Sequence, residues 1–122
     1  MYIIAIESHF SGAHQVKGYD GSCDNLHGHN WKVKAEIVSE KPDKIGICFD
    51  FKELKQITNS VIDNLDHTYL NEIKPFDKAN PTAENIAKYF YDQIKAKLPQ
   101  NVKISQVTIW ESEKYSVTYR ED

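Results

Sequence analysis

Apolar residues alternate at the start of the chain, with Ile4, Ile6 and Phe10 on one parity and Ile3 and Ala5 on the other. A period of two is that of a strand, and apolar residues on both parities predict that residues 2–10 form a strand covered on both faces. Trp31, Val33, Ala35 and Ile37 repeat the alternation and predict a second strand over 29–39. Past the turn Lys41-Pro42-Asp43-Lys44, residues 45–49 predict a short third strand. From residue 50 the period lengthens. Asp50-Phe51-Lys52-Glu53 has the form of a capping box, in which Asp50 accepts the amide of the third helical residue and Glu53 reaches back. Phe51, Leu54, Ile57, Val61 and Leu65 then recur every three or four residues, predicting a helix to about residue 65. Asn80-Pro81-Thr82 opens a second helix with Thr82 as N-cap; Ile86, Phe90, Ile94 and Leu98 form its apolar stripe, and Pro99 lies beyond its end. Residues 102–110 and 115–120 predict a hairpin across Ser112-Glu113-Lys114. The order β-β-β-α-α-β-β implies an α+β fold: an antiparallel sheet with two helices packed on one face, in a single domain over residues 1–122.

Between the first two strands, residues 11–26 are rich in Gly, Ser, Asp and Asn and predict a long irregular loop, which in a compact domain is usually functional. Here the chain carries its clearest chemistry. His27 and His29 stand two apart and run into the apolar series of the second strand, so both imidazoles face the way that series does. With His14 from the neighbouring segment they make a chelating set for zinc. Three neutral histidines leave the fourth tetrahedral position open, as a catalytic centre requires. The small residues Ser11-Gly12-Ala13 would let the chain bend past a metal. His9 falls on the parity opposite Phe10 and is expected to be exposed and without a role.

Composition narrows the class. A chain of 122 residues can bury roughly two-thirds of its unfolded surface, enough for a core. With 40% hydrophobic and 27% charged residues it has the balance of a soluble domain, and a net charge of −3 argues against nucleic acid as its partner. No apolar run approaches the roughly 20 residues that cross a bilayer, and the opening Met1-Tyr2-Ile3-Ile4 lacks the basic start of a signal peptide. A reduced, cytoplasmic protein is therefore expected; the count of Cys23 and Cys48 permits a disulfide but does not call for one.

Three further places carry potential chemistry. Cys23, among Asp20, Gly21, Ser22, Asp24 and Asn25, sits in a poor setting for a buried hydrophobe. It is either a fourth zinc ligand, giving a closed structural site, or a base beside the metal, whose thiolate a dication would favour. Cys48, between Ile47 and Phe49, reads as core. Asp66 and His67 close the first helix: either His67 is a C-terminal cap, or it is a proton carrier stabilised as imidazolium by the helix dipole and Asp66. Glu111 continues the parity of Val107 and Ile109, so its carboxylate either meets a partner on the apolar face or frays into solvent. A heterocycle with two adjacent N–H donors would match it.

In order along the chain stand Phe10-Ser-Gly-Ala-His14, Cys23-x3-His27-Gly-His29, Asp50-Phe51, Leu65-Asp66-His67, Asn80-Pro-Thr82-x-Glu84 and a strand ending at Glu111. Together they resemble the 6-pyruvoyl-tetrahydropterin synthase / 6-carboxytetrahydropterin synthase family over nearly the whole chain. The resemblance implies a tunnelling fold (T-fold), in which subunits join their sheets into a barrel, commonly as trimers stacked into hexamers with active sites between subunits. It implies that His14, His27 and His29 hold zinc, that Cys23 is the general base, that Asp66 and His67 support proton transfer, and that Glu111 anchors the pterin ring. The implied substrate is 7,8-dihydroneopterin triphosphate. The implied products are triphosphate, acetaldehyde and 6-carboxy-5,6,7,8-tetrahydropterin, the last feeding queuosine and other deazapurines.

The gap of three residues between Cys23 and His27 resembles the carboxytetrahydropterin synthases, since the pyruvoyl-forming enzymes tend to have a longer one. A branch in which glutamate supplies the base is disfavoured by Cys23. His9 and Ser11-Gly12 depart from the residues often found ahead of the first histidine. Two other readings stand beside the lyase. In one, Cys23 and the three histidines close a structural zinc site; in the other, a T-fold protein binds pterin through Glu111 without turning it over.

Overall fold

The computed structural model describes residues 1–18 and 25–122. Strands β1 (Tyr2–His14) and β2 (His27–Ser39) pair antiparallel along their full lengths. Helix α1 (Phe51–Ile62) follows, then the two-residue strand β3 (Thr68–Tyr69), helix α2 (Ala83–Lys97), β4 (Lys103–Ser112) and β5 (Tyr115–Tyr119). The sheet order is β3-β1-β2-β4-β5. Every neighbouring pair is antiparallel except β3, which runs parallel to Gly12 and Ala13 of β1. Both helices cover one face, which is the α+β arrangement the period changes predict.

That face is where the apolar parities converge. Phe10 of β1, Trp31, Val33 and Ala35 of β2, and Val107 and Ile109 of β4 are buried against Val61 and Leu65 and against Ile86, Phe90 and Ile94 of α2. Each such side chain contributes about 1.5–3 kcal/mol by leaving water. Phe10 and Trp31, directly opposite in the β1–β2 register, stack with ring centroids 5.9 Å apart. A smaller cluster of Ile4, Ile37, Leu54 and Val102 closes the other end, with Cys48 half-buried beside it. The opposite parity of β1 is open in the single chain. Ile3 is 61% exposed and Glu7 and His9 are exposed, so the strand is covered on one face, not two.

Other expectations are corrected locally. The loop expected from residue 11 begins later, because β1 continues to His14 opposite His27; Ser11, Gly12 and Ala13 pair as strand, their small size notwithstanding. Residues 45–49 form no strand. The Asp43 carboxylate accepts the amides of Ile45 and Ile47, each at 3.0 Å, and Gly46 turns with φ +88°, so these backbone groups are spent within the turn. Asp50 does cap α1, but it accepts the amide of Lys52, the second helical residue, at 2.8 Å. That helix ends at Ile62, where Asp63 and Asn64 favour turn backbone over a further helical turn. Thr82 caps α2 as expected, accepting the Asn85 amide at 3.1 Å.

Candidate metal centre

At the end of the sheet that the helices leave uncovered, β1, β2 and β4 each send side chains towards one point. The register sets His14 opposite His27 and Gly12 opposite His29, all on the face that carries Phe10 and Trp31. From β4 comes Glu111, one residue past the last pair of that strand with β2, Lys32 with Trp110. Pairing between β4 and β5 shifts between Trp110 and Ser112, so Glu111 sits in a bulge. Bulges re-aim side chains next to functional sites. The ligand atoms of His14, His27, His29 and Glu111 all lie within 4.8 Å of one another.

Each imidazole is oriented from behind. His14 is buried, and its Nδ1 donates to the Pro81 carbonyl oxygen at 2.7 Å. Nδ1 of His27 donates to the Asn25 carbonyl oxygen at 2.6 Å. A carbonyl oxygen can only accept, so each ring carries a proton on Nδ1 and in its neutral form aims an Nε2 lone pair at the centre. Those two Nε2 atoms are 2.9 Å apart. Nε2 of His29 is buried and meets no hydrogen-bond geometry among the described residues, although Glu111 Oε1 lies 2.8 Å away. Converging lone pairs, an orphaned ring nitrogen and a carboxylate are the donor set of a divalent cation, and the backbone carbonyls supply the outer hydrogen bonds that fix ligand tautomers. The residues fit a metal. Burial, the largest influence, lowers the His29 pKa; the Glu111 carboxylate opposes this, and His14 and His27 reinforce it. His29 is thereby kept neutral and available as a ligand.

The surroundings are built to hold β1 in place. Trp31 Nε1 donates to the Gly12 carbonyl at 3.1 Å. The Asn80 side chain bonds both the amide and the carbonyl of Lys17, at 3.0 and 2.8 Å, and the Asn71 side chain does the same for Gln15, at 2.9 and 2.8 Å. Asn80, Pro81 and Thr82 thus clamp the segment after β1, orient His14 and start α2. In sequence this triplet is legible as a helix start and not as a part of the centre, because its contacts there are with His14 and Lys17, 67 and 63 residues away. Asn71 carried no signal in the sequence.

Asp66 and His67 are held elsewhere. Ser11 donates its amide to Asp66 Oδ1 at 2.9 Å, and the His67 amide donates to the Ser11 carbonyl at 2.6 Å. The Ser11 amide is the chief cause that holds the Asp66 carboxyl below its ordinary value, opposed by desolvation and aided by His67. Asp66 Oδ1 is 3.0 Å from His67 Nδ1, so the carboxylate orients the ring. His67 adopts φ +58° and is 80% exposed. It follows the end of a loop, five residues past α1, so the expected helix dipole does not reach it. It shares with Gly28, His29 and Asn30 an open groove of about 500 Å³ across β1 and β2, but it does not join the converging group. A second cleft, of about 560 Å³, lies beside the ends of β2 and β4, and its lining includes His29, Asn30, Lys32, Trp110 and Glu111. His9, expected to lie idle, stands at the edge of this cleft. Cys23 lies outside the described residues.

Residues 3–122 match the family model described as 6-pyruvoyl tetrahydropterin synthase. The chain is 36% identical over 114 residues to the dihydroneopterin monophosphate aldolase of Pyrococcus furiosus, covering 93% of each. It is 32% identical to the 6-carboxy-5,6,7,8-tetrahydropterin synthase of Haemophilus influenzae, over 99% of this chain and 100% of that one. Among solved structures, the 6-pyruvoyl tetrahydropterin synthase of Caenorhabditis elegans superposes with a TM-score of 0.87 at 30% identity, covering 100% of this chain and 98% of the other.

Proposed function

The chain belongs to the 6-pyruvoyl tetrahydropterin synthase family, and on that premise we propose that it is a zinc-dependent carbon–carbon lyase. It takes 7,8-dihydroneopterin triphosphate and water to 6-carboxy-5,6,7,8-tetrahydropterin, acetaldehyde and triphosphate. The observation that carries this reading is the convergence of His14, His27 and His29, with the ring protons of His14 and His27 tied off on carbonyls. Similarity to a 6-carboxytetrahydropterin synthase over the full chain supports the substrate.

In this reading His14, His27 and His29 hold the zinc, which when bound supplies a Lewis acid that makes protons near the substrate's side-chain hydroxyls more acidic. Cys23 removes a proton as thiolate. His67, kept in orientation by Asp66, shuttles it. Glu111 accepts the two adjacent N–H groups of the pterin and so fixes the ring in the cleft beside β2 and β4. An oriented histidine left 80% exposed suits a site completed by another copy, in line with a homo-oligomer built from trimers, most simply a hexamer, in the cytoplasm.

A second reading rests on the aldolase relative: side-chain cleavage of dihydroneopterin monophosphate, with no triphosphate lost. Both substrates, given separately to the zinc-loaded protein, decide between them. Acetaldehyde and triphosphate in equal amounts from the triphosphate establish the proposed lyase. Triphosphate alone assigns the pyruvoyl-forming reaction. Glycolaldehyde phosphate from the monophosphate assigns the aldolase. No product from either returns the protein to a structural-zinc or pterin-binding role.

A further inference from the structure

The sequence points to Glu111 only as a partner for the pterin, with the fourth position of the metal left open. Its position in the fold says more. Oε1 of Glu111 lies 2.8 Å from Nε2 of His29, 3.4 Å from that of His14 and 3.8 Å from that of His27. Two ligand atoms on a tetrahedral ion with bonds of about 2.0–2.1 Å stand roughly 3.3–3.4 Å apart. The three distances bracket that edge length. The approach to His29 is the shortest of the three, and the carboxylate faces that ring directly. Two ligands of one ion sit side by side in this way, with lone pairs aimed at a shared point.

We propose that Glu111 is a displaceable fourth ligand, which closes the metal centre while the protein is free of substrate and is withdrawn when a pterin ring enters the cleft. The proposal rests on the reading that the three histidines hold a divalent metal and that pterin is bound beside them. One carboxylate cannot hold its oxygen among three imidazoles and also present both oxygens to ring N–H donors in the cleft beside β2 and β4. The bulge at Glu111 and its partial exposure give the side chain the freedom to change places. Metal and pterin then compete for it, and by linkage each weakens the other through Glu111. A closed resting centre also keeps a reactive metal-bound water from forming before substrate arrives.

The test uses the cobalt(II)-loaded protein, whose visible absorption reports the ligands directly, with azide and 7,8-dihydropterin as probes. In the unmodified protein Glu111 occupies the position azide needs. Glu111→Gln is expected to bind azide at least about tenfold more tightly and to hold cobalt at least about tenfold less tightly. Saturating 7,8-dihydropterin, which has no side-chain hydroxyls to coordinate, is expected to change the cobalt spectrum of the unmodified protein. Equal azide affinity in the two proteins, or a spectrum that pterin leaves unchanged at saturation, overturns the proposal. Should Glu111→Gln not fold, the pterin experiment on the unmodified protein decides alone. Cobalt bound with undiminished affinity by His27→Ala would instead sink the three-histidine centre itself. Failure of turnover with these spectral results intact would remove only the proposed reaction.

Discussion

Nε2 of His14 and Nε2 of His27 face each other at 2.9 Å, with the proton of each ring committed to a backbone carbonyl on its far side. Two lone pairs at that distance repel unless a proton or a metal ion lies between them, and the proposed zinc would take that place. The first prediction follows: His27→Ala lowers zinc affinity at least about 100-fold, since it removes a ligand rather than one of its outer hydrogen bonds. Competition against a chromophoric chelator measures this. Affinity within a factor of three of the unmodified protein would take His27 out of the centre.

Binding to the folded state alone makes the metal a source of stability. At a free zinc concentration 100 times Kd the gain is about 2.7 kcal/mol, which in a domain of this size raises Tm by on the order of 10 °C. Thermal unfolding with and without a chelator reads the difference directly. The same comparison on His14→Gln is expected to show little effect of the chelator.

Trp31 couples the core to the centre, being buried, stacked on Phe10 and bonded through its indole to the Gly12 carbonyl between Ser11 and Ala13. Trp31→Phe leaves that carbonyl without its donor and is expected to cost about 1–3 kcal/mol in urea unfolding. Because Gly12 pairs with His29, zinc affinity should fall as well. Lost stability with unchanged zinc affinity would confine Trp31 to the core.

Asp66 is predicted to give stability a pH dependence of definite sign. Its carboxyl is held below the ordinary value of 3.8, chiefly by the Ser11 amide, so the folded state binds a proton less readily than the unfolded chain does. That stability is present above 3.8 and is lost as pH falls through the lower folded value. Asp66→Ala should therefore be less stable than the unmodified protein at pH 7, with the gap closing on acidification below 3.8. Denaturant midpoints across pH test this; a gap that persists unchanged in acid contradicts it.

Cys23 separates base from ligand. As the base, its replacement in Cys23→Ala lowers turnover by about 10²–10⁴-fold while zinc content stays near one per chain. Elemental analysis beside the acetaldehyde assay distinguishes the roles, and loss of zinc would make Cys23 a ligand.

Local order was legible in the chain because period and capping are short-range physics. Alternation at Trp31, Val33 and Ala35 and the four-residue stripe from Ile86 to Ile94 determined which residues face the core. His27 and His29 follow from the same alternation, since a strand keeps residues two apart on one face. Where a local pattern competed with a polar side chain, the reading failed: Asp43 took the amides that a strand at 45–49 would have needed. Tertiary structure alone decided the rest. The 13-residue register that carries β1 to His14 depends on pairing with β2, not on the composition of residues 11–14. Asn71 and Asn80, 56 and 63 residues from the backbone they bond, hold that segment by contacts no local pattern encodes. Glu111 could be assigned a face from its parity, but only the pairing of β4 beside β2 brings its carboxylate among the imidazoles. Side-chain identity and spacing set what each residue can do; distances across the chain, fixed by packing, set which of them do it together.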